Sequence, residues 1–421
     1  MIFYEKSAAQ YSSYKKRMRI PLEGGESEGG YLQNFCLRDG YLGGGVGSEQ
    51  VTDGSVQISA LFCVGGAIAG YAPSGKLCVG SALADAGFAF TGIPDCVALP
   101  DGDGMLLSDG QTCVSVTSAG ANKLTLPFRT AVFAYGRLWR TSDGVRLYYG
   151  ALDDYKEAAV GRGKTGYIDS PDAKGKILRL FFVKNEILVL REYGLQKLVA
   201  HGDEEEFAFE DILSCAAVNG GSAAATQNAL FWLTAEGFRV WGDAKVNGYS
   251  QFFAPHVSSD SVRGAACGDR YFLQSQYTLP DGTVAEGLGV FDAQGGGYLI
   301  PQKAEGLVSV QNGVFFTHGG KGYTVTEKGN FLGGIAHRVW QSAPTQPFGC
   351  RALLMEVCVR SKGPFLLQIK SDEGSRALCF AGGLCRKRVL LAGTVFSFRV
   401  QAEECELYAL SAVFQRGEDK V

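Results

Sequence analysis

The stretch Asn228-Ala-Leu-Phe-Trp-Leu-Thr-Ala-Glu-Gly237-Phe-Arg-Val-Trp241 reads as two short strands joined by a tight turn. Five apolar residues run up to a polar turn that carries glycine, and a second apolar run leads away. Glycine at that place supplies the positive φ that lets antiparallel strands reverse without splaying. Working outward, the same template recurs as Gly66-Ala-Ile-Ala-Gly-Tyr-Ala-Pro-Ser-Gly75-Lys-Leu-Cys-Val79, Gly104-Met-Leu-Leu-Ser-Asp-Gly110-Gln-Thr-Cys-Val114 and Gly136-Arg-Leu-Trp-Arg-Thr-Ser-Asp-Gly144-Val-Arg-Leu-Tyr-Tyr149. It returns as Asn185-Glu-Ile-Leu-Val-Leu-Arg-Glu-Tyr-Gly194-Leu-Gln-Lys-Leu198, as Asp269-Arg-Tyr-Phe-Leu273 with a return strand near Leu288 to Phe291, and as Asn312-Gly-Val-Phe-Phe-Thr-His-Gly-Gly-Lys-Gly322-Tyr-Thr-Val325.

The starts at 66, 104, 136, 185, 228, 269 and 312 are separated by 38, 32, 49, 43, 41 and 43 residues. Each interval has room for four short strands, which is the period of a β-propeller blade. The expected fold is therefore all-β: a seven-bladed propeller, or a six-bladed one if the segment before Ala86 is irregular. Tyr31 to Gly45 reads either as an eighth hairpin or as the strand that closes the ring. Helix formers gather only at Glu205 to Ala217 and Gly221 to Leu230, both short enough to be loops between blades.

The rhythm stops near Gly334. From His337 onward six strand candidates follow: Ala352 to Arg360, Pro364 to Lys370, Ala377 to Ala381, Lys387 to Ala392, Thr394 to Val400 and Glu406 to Phe414. They suit a separate β-sandwich of about 80 residues. The expected organisation is an N-terminal arm over 1–30, a propeller over 31–336 and a sandwich over 337–421.

Composition agrees with many turns between buried strands. Glycine supplies 58 of 421 residues without a three-residue period and beside only 12 prolines, which excludes collagen and low-complexity linker. Forty basic against 43 acidic residues leave no overall bias towards nucleic acid or membrane. Met1 to Ile20 carries Glu5, Lys6, Lys15, Lys16, Arg17 and Arg19 and has no apolar core, so no secretion signal is read there and synthesis in a cytoplasm is expected. None of the twelve cysteines forms a C-x-x-C pair, and the apolar strands around most of them suit reduced core residues.

Motifs that usually carry chemistry are matched only loosely. Ala158-Ala-Val-Gly-Arg-Gly163-Lys164-Thr165 resembles a phosphate loop and Gly161 to Gly166 spells G-x-G-x-x-G, but a charged run precedes them and Pro171 with Gly175 forbids the helix such a loop needs. Asp101-Gly-Asp103-Gly lacks the later ligands of a calcium loop and reads as a turn. Asp203-Glu204-Glu205-Glu206 reads as a solvated acidic turn. His201, His256, His318 and His337 show no metal-ligand spacing, and no serine sits in a G-x-S-x-G elbow. No catalytic, cofactor-binding or metal-binding residues are therefore assigned, no cofactor is expected, and the chain is expected not to be an enzyme. A pair of glycosidase carboxylates brought together from different blades stays open. Lys15-Lys16-Arg17-Met18-Arg19 is the one basic cluster, either a phosphate contact or arm that docks on an acidic partner, or a solvated tail.

Several stretches resemble the propeller-bearing structural proteins of tailed bacteriophages and prophages, found in the neck, tail or adsorption apparatus. They are Phe133-Ala-Tyr-Gly-Arg137-Leu138-Trp139, Arg146-Leu-Tyr-Tyr149-Gly-Ala-Leu-Asp153-Asp154, Ile177-Leu-Arg-Leu-Phe-Phe-Val-Lys184-Asn-Glu-Ile187-Leu-Val-Leu190 and Ala229 to Phe238. Val339-Trp340-Gln341-Ser342-Ala-Pro344 looks like the hand-over to a terminal sandwich, which is itself similar in Arg386-Lys-Arg388-Val and Gly393-Thr-Val-Phe396-Ser-Phe398. The likeness covers Phe128 to Phe414 with gaps and is a rhythm of strand and turn residues without a chemical signature; the Gly- and Cys-rich N-terminal third departs from it. It implies a virion structural protein made in the bacterial host cytoplasm and present in several copies. Its partners would be other virion proteins, with neither membrane nor nucleic acid among them. The alternatives are a carbohydrate-binding or carbohydrate-cleaving propeller, for which Trp139, Tyr148, Tyr149, Trp232 and Trp241 would supply aromatic platforms, and an intracellular propeller scaffold.

Overall fold

The computed structural model describes residues 11–22, 30–38, 40–156, 164–170, 174–200, 203–244, 254–255, 262–279, 281–292, 296–311, 313–327, 329–334 and 337–417. Every hairpin of the repeat forms the second and third strands of one blade, and the described residues build seven blades. Blade 1 is Ala60–Val64, Ala67–Tyr71, Lys76–Val79 and Ala84–Ala89; blade 2 is Asp95–Ala98, Gly104–Ser108, Cys113–Thr117 and Gly120–Leu124. Blade 3 is Thr130–Ala134, Arg137–Thr141, Arg146–Tyr149 and Gly166–Asp169; blade 4 is Ile177–Val183, Glu186–Arg191, Gly194–Val199 and Ala208–Ser214. Blade 5 shows three strands among the described residues, Val218–Ala225, Ala229–Thr234 and Gly237–Gly242. Blade 6 is Arg263–Cys267, Arg270–Thr278, Val284–Asp292 and Gly297–Ile300, and Ala254–Pro255 also pairs with its second strand.

Blade 7 is Glu305–Val310, Gly313–His318 and Lys321–Thr326, and its fourth strand comes from the other end of the chain: Gly47–Gln50 pairs antiparallel with Lys321–Thr326. The ring is thus closed by residues just after the Tyr31 to Gly45 stretch. First strands of neighbouring blades pack side by side from blade 2 round to blade 7 and between blades 7 and 1, while blades 1 and 2 meet through Ala67–Tyr71 and Cys113–Thr117. Apolar clusters fill the wedges between blades, with Trp139, Trp232, Phe62 and Phe231 fully buried in them. Second strands repeat a further detail, a buried hydroxyl at the strand end that accepts an amide of its own turn: Ser108 from Gly110, Thr141 from Gly144 and Thr234 from Glu236.

All six C-terminal candidates are strands, Ala352–Lys362, Phe365–Ser371, Ser375–Phe380, Gly383–Gly393, Phe396–Ala402 and Glu406–Gly417, and they form two facing sheets. Their inner residues, among them Leu354, Val357, Phe365, Phe396, Phe398, Leu410 and Phe414, make one core cluster with parts of blades 6 and 7.

The N-terminal region corrects the expected division of the chain. Tyr11–Ile20, read as an arm, is a strand of the sandwich and pairs with Glu406–Gly417; Met18 packs on the main core and Ile20 is buried in it. Phe35–Arg38 and Tyr41–Gly44 do form a hairpin, but it joins the same sandwich sheet through Leu42 opposite Leu407 and adds no blade. Tyr31–Gln33 lies between Gly297–Ile300 of blade 6, in parallel, and Arg338–Gln341, antiparallel. Arg338–Gln341 in turn pairs with Phe396–Ala402. One ten-stranded sheet therefore runs from blade 6 into the sandwich. Trp340, fully buried at this seam, donates its indole N–H to the Leu22 carbonyl at 3.1 Å. The physical reason for the difference is that strand pairing is set by partners hundreds of residues away, about which a local pattern is silent.

Glu205 to Ala217 and Gly221 to Leu230 are not loops between blades. Apart from a 3-10 turn at Glu204–Glu206, these segments supply the strands Ala208–Ser214 and Val218–Ala225 and enter Ala229–Thr234. Pairing with neighbours overrides the local preference of the Glu- and Ala-rich runs.

Candidate functional site at the mouth of the central channel

At the centre of the ring the first strands of blades 1, 2, 4, 5, 6 and 7 line a cavity of about 600 Å³. Five charged residues line it: Asp95 at the head of blade 2, Asp109 in the second turn of that blade, Arg129 just before blade 3, Arg179 in blade 4 and Arg263 at the head of blade 6. Small residues make the space. A Cβ on Gly264 would stand 2.0 Å from the Ser222 carbonyl oxygen, so the first strands of blades 5 and 6 approach as they do only because this position is glycine. Gly306, at φ +53° and with the Ser59 carbonyl 1.9 Å from where a Cβ would lie, does the same between blades 7 and 1.

The two carboxylates face opposite surroundings. Burial pushes the Asp95 acid up, against the opposing pull of Arg179, whose guanidinium lies 3.3 Å away. Burial also acts on Asp109, but it is outweighed by amide hydrogen bonds from Thr112, Thr91 and Gln111 at 2.8 to 2.9 Å and by the Thr91 hydroxyl at 2.9 Å, which hold this acid below the usual carboxylate range. A raised and a lowered acid in one cavity is the electrostatic pattern of a glycosidase pair. Here, however, Asp109 accepts four hydrogen bonds from its own turn and from Thr91, and Asp95 is bonded across the channel to Arg179. Both contacts tie blade to blade or turn to turn. Arg263 donates to the Val262 carbonyl at 2.8 Å. The arrangement holds charge in place at the hub of the ring.

Legible signals for these residues existed in the sequence, since Asp95-Cys-Val-Ala, Ile177-Leu-Arg-Leu and Arg263-Gly-Ala-Ala each place one charge in an apolar or small strand. That three of them meet in one cavity depends on the ring.

Other motif residues are placed as follows. Of the phosphate-loop match, Ala158 to Gly163 lies outside the described residues; beyond Thr165 the chain enters the strand Gly166–Asp169, where such a loop would need a helix. Asp101 to Asp103 forms the turn between the first two strands of blade 2, with the Asp103 amide donating to the Asp101 carboxylate at 3.1 Å. The acidic run is not simply solvated: the half-buried Glu204 meets Arg137 of blade 3 at 2.5 Å, and Arg137 also donates to the Gly150 and Lys164 carbonyls. His201 and His256 lie outside the described residues, while His318 is exposed and contacts the Lys303 carbonyl. Among the described residues no three of His, Cys, Asp and Glu gather as metal ligands. Four cysteines are buried, Cys78, Cys113, Cys358 and Cys405, most others are half-buried and Cys379 is exposed. Burial pushes the thiols of Cys63 and Cys113 up to about 12. Of the proposed aromatic platforms, Trp139 and Trp232 are fully buried core residues, and Tyr149 packs on Trp139 and Phe207. Among the described residues no helix is long and apolar enough to cross a membrane.

Fold and hub together define the class: an all-β protein with a seven-bladed propeller fused through a shared sheet to a β-sandwich. No protein-family model and no curated protein sequence matches the chain. Among solved structures, the N-terminal domain of BBS1 in complex with ARL6 is similar at 10% identity and TM-score 0.39, covering 69% of this chain and 98% of that one. The N-terminal domain of Nup159 is similar at 9% identity and TM-score 0.37, covering 73% and 98%. The WD40 domain of SCAP from fission yeast is similar at 7% and 0.35, covering 93% and 99%. At these scores the likeness carries nothing about role, and the propeller assignment rests on the blade topology itself.

Proposed function

We propose that this protein is a rigid, non-catalytic structural component that works through protein contacts, and that its place is the neck, tail or adsorption apparatus of a tailed-phage virion. The observation that carries the structural half of the reading is the ten-stranded sheet running from blade 6 into the sandwich. Two units joined by a flexible linker move independently by default; here the join is itself backbone pairing with Trp340 buried inside it. Such a body keeps its surfaces at fixed distances, which suits an assembly part. The virion half rests on the resemblance carried by Phe133 to Trp139, Ile177 to Leu190 and Val339 to Pro344. Other virion proteins and further copies of the chain are the partners this reading calls for. A glycan-binding reading gains nothing from the burial of Trp139 and Trp232.

The test is mass spectrometry of purified particles from an induced lysogen or lysate of the source, with this protein quantified against the major capsid protein. A fixed, low stoichiometry is the expected result. Absence from purified particles overturns the virion reading.

A further inference from the structure

The basic cluster near the N-terminus acquires a meaning from sheet register. In the sandwich sheet the order across four strands is Tyr11–Ile20, Glu406–Gly417, Ala352–Lys362 and Gly383–Gly393. Residues directly opposite each other in antiparallel strands share a face. One row across the sheet is Ile20, Leu410, Val359, Cys385, and it faces the core. The next row is Arg19, Ser411, Cys358, Arg386, so it faces outward; a further outward row is Arg17, Val413, Glu356, Arg388. Lys15 stands opposite Gln415, which is opposite Leu353, and Arg360 stands opposite Ala409 and Leu384.

The outer face therefore carries Lys15, Arg17 and Arg19 along one edge and Arg386 and Arg388 along the other, with Arg360 at one end, all six exposed. Successive cations on one strand are about 6.8 Å apart, and the two edges about 14 Å. Between them runs a strip in which Ser411 and Val413 are half-buried, Cys358 is buried and Glu356 is the one acid. None of the six cations has an ion-pair partner within 4.0 Å among the described residues. The acids near the ends are already engaged, Glu406 by Lys362 and Tyr408 and Glu373 by Arg351. Glu356 is the one acid in the paired rows.

Charge on edge strands commonly only guards against edge-to-edge aggregation. That role needs charge of either sign, and in a chain with 43 acids and 40 bases a uniform sign on both edges calls for another cause. A centre with a single acid inside a charged, arginine-rich rim resembles the anatomy of a protein interface, and arginine forks suit carboxylates.

We propose that this outer face of the sandwich docks an acidic surface of a partner protein, its carboxylates meeting the two arginine rows and its centre covering the Ser411 and Val413 strip. The proposal rests on the reading of the chain as an assembly component. Poly-L-glutamate stands in for the acidic partner, and a random duplex DNA of equal charge serves as competitor, both titrated against the full chain by fluorescence anisotropy at fixed salt. Three folded variants are compared: Arg17→Glu with Arg19→Glu, Arg386→Glu with Arg388→Glu, and a control of the same charge change elsewhere, Lys123→Glu with Lys321→Glu. The charge-neutral pair Arg386→Gln with Arg388→Gln replaces any reversal that fails to fold. Each edge pair is expected to weaken poly-L-glutamate binding at least tenfold and the control less than twofold. Equal weakening by the control, no weakening by either edge pair, or tighter binding of the DNA overturns the proposal; the last would make nucleic acid the occupant. The two readings fail separately. Wild-type protein absent from particles while edge-dependent binding persists removes only the virion reading. Edge variants incorporated into particles at the wild-type stoichiometry remove only this docking face.

Discussion

Blades 6 and 7 both borrow a strand from the N-terminal fifty residues, and the two loans have opposite consequences. Gly47–Gln50 lies along the outer edge of blade 7 and finishes it as an ordinary four-stranded blade, so the ring closes and the sheet ends there. Tyr31–Gln33 lies along the outer edge of blade 6 and offers its far side to Arg338–Gln341, so the sheet continues into the sandwich. The difference lies in what surrounds each added strand. Around the first, Val46 is buried and Thr52 accepts the Gly322 amide at 2.8 Å, which ties the strand to its own blade. Around the second, Trp340 is buried in the core that the sandwich shares with blades 6 and 7, and Tyr31 is buried against blades 5 and 6. Closure is a local staple, whereas fusion shares a core.

If that contrast is right, damage to the seam costs more than damage to the staple. Trp340→Ala empties a fully buried site and leaves the Leu22 carbonyl without its donor, and should cost about 5 kcal/mol, the upper end for aromatic truncation. Urea unfolding followed by tryptophan fluorescence and circular dichroism measures it, and a loss below about 2 kcal/mol would mean the seam is not a shared core.

A second junction sharpens the comparison because it uses side chains alone. Arg137 of blade 3 and Glu204, just before the last strand of blade 4, form a pair with side chains only 10% and 14% exposed. Arg137→Ala strands a buried carboxylate, for an expected loss of about 3 kcal/mol in the same assay. Arg137→Ala combined with Glu204→Ala should recover part of that loss, and no recovery would show that Arg137 acts mainly through the Gly150 and Lys164 carbonyls it also reaches.

The staple itself is tested by Thr52→Val, which keeps shape and removes the acceptor of the Gly322 amide. An unmet buried amide costs about 1 to 3 kcal/mol, less than the seam; a larger effect than that of Trp340→Ala would reverse the ranking. The smallest change is expected at Arg351, whose fork meets the Glu373 carboxylate at 2.7 Å twice but with side chains 45% and 36% exposed. Arg351→Ala should cost under about 1 kcal/mol and less still in high salt, which a thermal melt at two salt concentrations resolves.

What the amino-acid sequence determined by itself was everything that repeats along the chain. Seven glycine-bearing hairpins at blade spacing became the second and third strands of seven blades, and six C-terminal apolar runs became six sandwich strands. These were legible because alternation of side chains and turn residues acts within ten or fifteen residues. The Trp139 and Trp232 side chains, with Cys78 and Cys358, likewise carried their burial in their apolar neighbours, whereas most other cysteines are only half-buried and Cys379 is exposed. The tertiary structure alone decided what the N-terminal region does. Lys15 to Arg19 looks like a solvated tail until Glu406–Gly417, almost four hundred residues later, gives it a partner and turns alternate residues to one face beside Arg386 and Arg388. The channel residues Asp95, Arg179 and Arg263 meet for the same reason, as first strands of separate blades. A strand's own pattern says which of its faces is apolar; which strand lies beside it is settled by loop closure and shared burial across the whole chain, and both the hub and the basic face depend on that choice.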